Sequence, residues 1–231
     1  MKHLDRQGLT PEFVQPGNET NGDMLSAHAS SGFPDCNTCR GAWANAGKLL
    51  NRAIAAVREA AARAAVKTKI ALHIADPKNV VSWFDNIIYA GGVSDFDIVG
   101  FSYYPLWHTS VHVDDISDKV SLFKAKYGRE AMMPETAYPW TVEGKDDYKN
   151  SFVTEDAIPG YPKTKQGRKN RLIKLTQEMK DGGGNGIFYW EPAWISSSMK
   201  DLQGTGSSWE NSSFFDFEGN TTDAIDYATH N

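Results

Sequence analysis

The chain has 231 residues, 40% of them hydrophobic and 12% aromatic, enough to bury a substantial core and too apolar for a disordered polymer. Its 24 Lys and Arg are outweighed by 29 Asp and Glu for a formal net charge of -5, and no long basic run is present, so nucleic acid is excluded as the expected partner. No apolar stretch approaches the roughly 20 residues that span a bilayer, and residues 1–12 (MKHLDRQGLTPE) lack the apolar centre of a signal peptide, so no membrane partner is expected.

In chain order, KHLDRQG (2–8) reads as the last turns of a helix closed by Gly8, and FVQPG (13–17) as a strand that runs into Asn18 and Glu19. PDCNTCRG follows with Cys36 and Cys39. No second C-x-x-C or H-x-x-x-H completes a zinc site, which leaves a loop disulfide or two inert thiols ahead of redox chemistry. Residues 42–65 carry a helical period, with Leu49, Ala53, Ala56 and Val57 as the apolar stripe and Arg52, Arg58, Glu59 and Arg63 facing water. Strands are predicted at KIALHIA (69–75), FDIVGFSYY (96–104), EAMMPE (130–135) and GIFYWE (186–191). Between them lie helices over 80–90, closed by Gly91-Gly92, over 114–127, closed by Gly128, and over 163–181, closed by Gly182.

Strand and helix alternate five times, the pattern of a parallel α/β sheet. No G-x-G-x-x-G or G-x-x-x-x-G-K-[ST] follows any strand, which removes the phosphate cradle of doubly wound nucleotide binders. Each strand instead ends on polar or aromatic residues: Asn18-Glu19, His73 to Asp76, Tyr103-Tyr104, Glu135 and Trp190-Glu191. Long loops follow, at 140–163 and 195–221. Working residues at strand carboxyl ends under long loops are the arrangement of a (β/α) barrel. Alternation turns Ile70, Leu72, Ile74, Val99 and Phe101 towards helices and leaves Ala71, His73, Ala75, Gly100, Ser102 and Tyr104 facing the axis. Glycosidic cleavage needs one carboxylic acid to protonate the leaving oxygen and one carboxylate to attack or to activate water. Glu19 and Glu135, flanked by aromatic residues that stack on sugars, offer that pair. Taken singly, a strand-end glutamate is more often a cap or an ion-pair partner.

FVQPGNETNGDML, KIALHIADP, FDIVGFSYYPLWH, PETAYPWT, GIFYWEPAWI and SSWENSSFFDFEGN together resemble the arabinogalactan endo-β-1,4-galactanases, glycoside hydrolase family 53, over residues 9–218. The resemblance implies a retaining endo-hydrolase of β-1,4-galactan acting without a cofactor, secreted or periplasmic in its full length. Glu19 would be the acid/base, with Asn18 beside it on the sugar 2-hydroxyl, and Glu135 the nucleophile. Tyr104, favoured over Tyr103 by alternation, would support the nucleophile, and Trp190 would floor the subsite at the cleaved bond. His73, Asp76, Trp107 and Trp194 are further substrate-groove candidates, with simpler readings beside them: Asp76 as a helix cap, Glu191 as an ion-pair partner, Trp194 as loop packing. A same-clan glycosidase on another β-glycan and a non-catalytic galactan-binding protein are the alternatives.

Two features depart from the expected pattern. Pro16 and Pro134 stand where aliphatic residues are expected, and each removes a ladder donor, so each marks a bulge or an irregular strand end. Five strand-helix units are present of the eight that close a barrel, so residues 1–231 read as one catalytic domain, the C-terminal part of a TIM barrel. Activity is then expected to be impaired, and self-association through open sheet edges is expected. Part of the family holds calcium in the loop after the last strand. Here Asp201, Asp216 and Glu218 lie in that loop without a D-x-[DN]-x-[DN]-G spacing, and no metal is expected. Asn18, Asn211 and Asn220 begin N-x-[ST] sequons.

Overall fold

In the computed structural model, which describes residues 1–25, 34–202 and 204–229, strand and helix alternate as the periodicities predict. The strands are β1 (Phe13–Val14), β2 (Lys69–Ala75), β3 (Ile98–Ser102), β4 (Glu130–Thr136) and β5 (Ile187–Tyr189). The α-helices are α1 (Lys2–Asp5), α2 (Trp43–Ala61), α3 (Val80–Tyr89), α4 (Ile116–Tyr127) and α5 (Lys165–Asp181). The sheet order is β1-β2-β3-β4-β5. β1 pairs parallel with β2, and β2 with β3, with Ala71 opposite Ile98 and His73 opposite Gly100. Parallel neighbours in unbroken chain order, joined through helices, are successive units of a (β/α) barrel. The chain divides into two compact units, Met1–Ser102 with Lys119–Pro134, and Tyr103–Asp118 with Glu135–Asn231.

In the first unit, the end of β1 at Val14 leaves Pro16 outside the strand, where its missing N–H costs no ladder bond. Ala71, Ile98 and Met132 share one face of the sheet with Phe13, and Phe101 on the opposite face packs edge-on against Phe123 of α4 at 5.6 Å. That division is the one alternation predicts. Helix α2 differs from expectation. It buries Ala46, Gly47, Leu50 and Ile54, whereas Leu49, Ala53 and Val57 are half-buried and Ala56 is exposed. The cause is a backbone contact: a Cβ on Gly47 would lie 1.9 Å from Gly91 O, just after α3. The helix therefore turns its smallest residue, rather than its most apolar stripe, towards the closest approach. Arg58, expected to face water, reaches Asp95 at 2.7 Å, Asp97 at 2.9 Å and Thr68 O at 3.0 Å.

β4 contains the second proline. Glu130 N donates to Asp97 O at 3.0 Å, and Tyr103 N donates to Glu135 O at 2.9 Å. A regular parallel ladder continued from the first of these bonds brings Tyr103 N to residue 134, so β4 carries one extra residue, a bulge at Pro134. The proline ring occupies the space over Gly100, where an added Cβ would meet Pro134 Cγ at 3.1 Å. Strict alternation from Met132 would turn Glu135 towards the helix side. The extra residue turns it to the other side.

In the second unit, α5 starts on Thr164, whose Oγ1 accepts from Gly167 N at 3.0 Å. It ends at Gly182, but the left-handed residue is Gly183 at φ 74°, one later than expected. Leu172 packs with Phe214 and Ala224. The buried Arg168 guanidinium donates to Ser212 O at 2.9 Å and also to Ser213 O and Thr222 Oγ1, which fastens the loop after β5 onto the helix. Asn211 of the second sequon is fully buried and donates to Phe152 O at 2.7 Å, so it is not a glycosylation acceptor in the folded chain.

Candidate active site

Beyond β1 the chain stays fastened to β2 by backbone and side-chain hydrogen bonds together. Thr20 donates to His73 O from both N (2.9 Å) and Oγ1 (3.0 Å). The Asn21 amide pairs with the Ala75 backbone in both directions, accepting from Ala75 N at 3.0 Å and donating to Ala75 O at 3.1 Å. Trp83 Nε1 closes on Thr20 O at 3.2 Å. Glu19, immediately before this clamp, is held at φ 45°. A non-glycine residue there carries about 1–3 kcal/mol of strain, and it persists only where the surroundings over-determine it. Asp76 at φ 67° and Glu191 at φ 49° are likewise acids just past β2 and β5.

His73 was expected in a groove. It is instead fully buried, with Nε2 2.7 Å from Ser102 Oγ and Nδ1 3.1 Å from Asn18 Oδ1. Burial pushes its pKa from 6.5 down to about 4, so the ring is neutral at pH 7. Between those two values the unfolded chain takes up a proton that the folded chain refuses, so stability falls as pH falls through this window. The full loss is about 3 kcal/mol. Urea midpoints measured from pH 7 to pH 4 should show this slope in the parent and a shallower one in His73→Asn. Equal slopes would show that the imidazole is not the source. Asp76 takes the capping role: Oδ1 accepts from Lys78 N at 3.0 Å, and Oδ2 lies 2.9 Å from Lys78 Nζ.

In the second unit, the buried Glu135 accepts a 2.8 Å hydrogen bond at Oε2 from the Tyr104 hydroxyl. Tyr103 points the other way: its hydroxyl donates to Val111 O at 2.7 Å, and the Arg171 guanidinium lies 5.4 Å from its ring centre. Trp190 N donates to Thr136 O at 2.9 Å, which continues the strand pairing and holds the indole near Tyr104. The wall is completed by Trp107, 49% exposed, at 5.0 Å from Tyr104, by Phe152 at 4.7 Å from Trp107, and by Trp209 at 6.0 Å from Tyr104 and 6.5 Å from Trp190. Phe152 and Trp209 were not singled out in the sequence. Trp209 lies in the SSWENSSFF stretch, whereas Phe152 carries no local signal.

Trp194 is outside this cluster. Its Nε1 donates to Gly206 O at 3.0 Å and its ring meets Tyr148 edge-on at 6.1 Å, which is loop packing. With Glu191, Pro192, Met199 and Asp201 it lines a separate cavity of about 500 Å³. Asp201 accepts from Gly204 N and the Tyr148 hydroxyl, and Asp216 from Lys165 Nζ, Glu218 N and Asn220 N. Both thiols are free: Cys39 Sγ donates to Asn21 O at 2.8 Å, and Cys36 Sγ lies 3.5 Å from Pro34 O.

A strand-end carboxylate oriented by a phenol, beside a partly exposed aromatic wall, can bind the apolar face of a sugar and present an oxygen nucleophile to it. The chain is similar to known proteins along most of its length. An arabinogalactan endo-β-1,4-galactanase from Cellvibrio japonicus is 38% identical over 215 residues, which are 92% of this chain and 55% of that protein. An endo-β-1,4-galactanase from Bacillus subtilis is 29% identical over 84% of this chain and 42% of its own length. The GH53 catalytic domain of Ignisphaera aggregans superposes with a TM-score of 0.81 at 29% identity, covering 98% of this chain and 60% of that one. The chain thus spans about half the length of the curated relatives it matches. Residues 1–228 match the glycosyl hydrolase family 53 profile as one continuous stretch, and the chain belongs to that family.

Proposed function

We propose that this chain is the catalytic part of a retaining endo-hydrolase of β-1,4-galactan. The observation that carries the reading is the Tyr104 hydroxyl on Glu135 beside the Trp107, Trp190 and Trp209 wall. The galactanase names of the relatives supply the substrate class. Glu135 attacks the anomeric carbon while the Glu19 carboxylic acid gives its proton to the leaving glycosidic oxygen. The Glu19 carboxylate then takes a proton from water, which displaces Glu135 from the glycosyl ester and restores the starting configuration. Tyr104 fixes the carboxylate plane and Trp190 stacks beneath the sugar. Asn18 meets the 2-hydroxyl, and Trp107 belongs to the surrounding groove. A polymeric galactan substrate implies action outside the cytoplasm.

Turnover by the 231 residues alone is proposed to be impaired, because the five strands of the described residues are fewer than the eight that close a barrel, and self-association through edge strands is proposed with it. The test is a reducing-sugar assay on galactan, mannan and carboxymethylcellulose, run with the chain and with a version extended to the length of its relatives. Galactan cleavage by the extended protein supports the reading. Binding of galactan without product assigns a non-catalytic role, and cleavage of mannan or cellulose instead assigns another β-glycan. In a crystal structure of the extended protein the Glu19 and Glu135 carboxyl groups should lie roughly 5 to 5.5 Å apart, and a separation of roughly 6.5 to 9.5 Å would make the enzyme inverting.

A further inference from the structure

We propose that His73 is a positioning residue that works through Asn18, holding the carboxamide oxygen inward so that its NH2 group is the donor offered to the sugar. With Asn18 Oδ1 turned to the ring, the hydrogen bonds allow one arrangement of protons. Asn18 Oδ1 accepts from Gln15 Nε2 at 2.9 Å and lies 3.1 Å from His73 Nδ1. A carbonyl oxygen only accepts, so Nδ1 carries the proton. A neutral imidazole then has a lone pair at Nε2, and the Ser102 hydroxyl 2.7 Å away donates to it. Asn18 Oδ1 thus fixes the proton on Nδ1, the Ser102 hydroxyl turns to donate to the Nε2 lone pair, and Asn18 is held by two donors on one oxygen. The ring and Ser102 are fully buried, so water does not compete for these bonds, whereas Asn18 is exposed. With its oxygen occupied, Asn18 presents N–H, and the hydroxyl it meets must accept.

The role assigned to Asn18 rests on the proposed glycosidase reading; the proton arrangement does not. Two measurements separate them. The first is long-range ¹H–¹⁵N correlation on the histidine-labelled chain near neutral pH. A protonated Nδ1 and an unprotonated Nε2 are expected, together with loss of that single-tautomer pattern in Asn18→Ala, where the Ser102 hydroxyl can serve either tautomer. A proton on Nε2, or the same pattern in Asn18→Ala, overturns the relay whatever the enzyme cleaves. The second is galactan turnover by the extended protein. His73→Asn retains a donor where Nδ1 stood and is expected to keep most of kcat. His73→Gln places its amide where Nε2 stood and is expected to lose on the order of a hundredfold in kcat with little change in KM. The Asn18→Ala/His73→Gln double variant is expected to lose no more than Asn18→Ala alone. Equal activity of the two His73 variants, or additive losses, overturns the positioning role. A parent protein inactive on galactan but with the expected tautomer overturns only the glycosidase reading.

Discussion

Glu135→Ala is expected to lose on the order of 10⁴- to 10⁶-fold in turnover of β-1,4-galactan, the scale seen when a covalent nucleophile is removed. Azide should restore part of the rate by entering the space the carboxylate leaves, and the product should be the galactosyl azide of inverted configuration. Glu19→Ala should behave differently, losing roughly 10²- to 10⁴-fold on galactan but much less on aryl galactosides, whose good leaving groups need little protonation. With azide, Glu19→Ala should yield the retained azide, because Glu135 still forms the glycosyl ester. These experiments use the extended protein, and the configuration of the azide is read by NMR. A reversed pair of outcomes would exchange the two roles. Parent-like activity in both variants would remove the enzyme reading.

The second large effect concerns folding. A glycine in mid-helix ordinarily costs about 1 kcal/mol relative to alanine, so Gly47→Ala on a freely exposed helix would stabilise. Here the new Cβ would sit 1.9 Å from Gly91 O and 2.6 Å from Gly91 Cα. The obstruction is backbone and cannot rotate away as a side chain could. The expected result is a net loss of about 3 kcal/mol or more, the upper range for overpacking, read as a lower urea midpoint with unchanged m. Ala56→Glu, on the exposed face of the same helix, should stay within about 0.5 kcal/mol of the parent. Stabilisation by Gly47→Ala would show that the α2 and α3 backbones do not approach this closely.

Both predictions depend on features that were unequally legible in the amino-acid order. β2 matches its predicted bounds because KIALHIA is a clean apolar run, and a single strand's period needs no partner to be read. The choice of Tyr104 over Tyr103 follows from the same local rule, since alternate residues face opposite sides. The parallel order β1 to β5 was likewise implied by five strand-helix alternations.

What the tertiary structure alone decided involves a partner distant in sequence. The buried face of α2 is set by the Gly47–Gly91 approach, which hydrophobicity does not encode. Pro134 was visible as an anomaly, but its meaning as a bulge appears only when the β3 ladder is counted against it, and that extra residue aims Glu135 at Tyr104. His73 changed from a groove residue to a buried link because Ser102, 29 positions away, and Asn18, 55 positions away, close on its two nitrogens. The Trp107 wall takes Phe152 and Trp209 from two long loops whose local sequence carries no period. Local periodicity is a property of neighbours in the chain and can be read from the residues themselves, whereas close backbone approach, ladder slippage and loop docking belong to pairs that only the folded chain brings together.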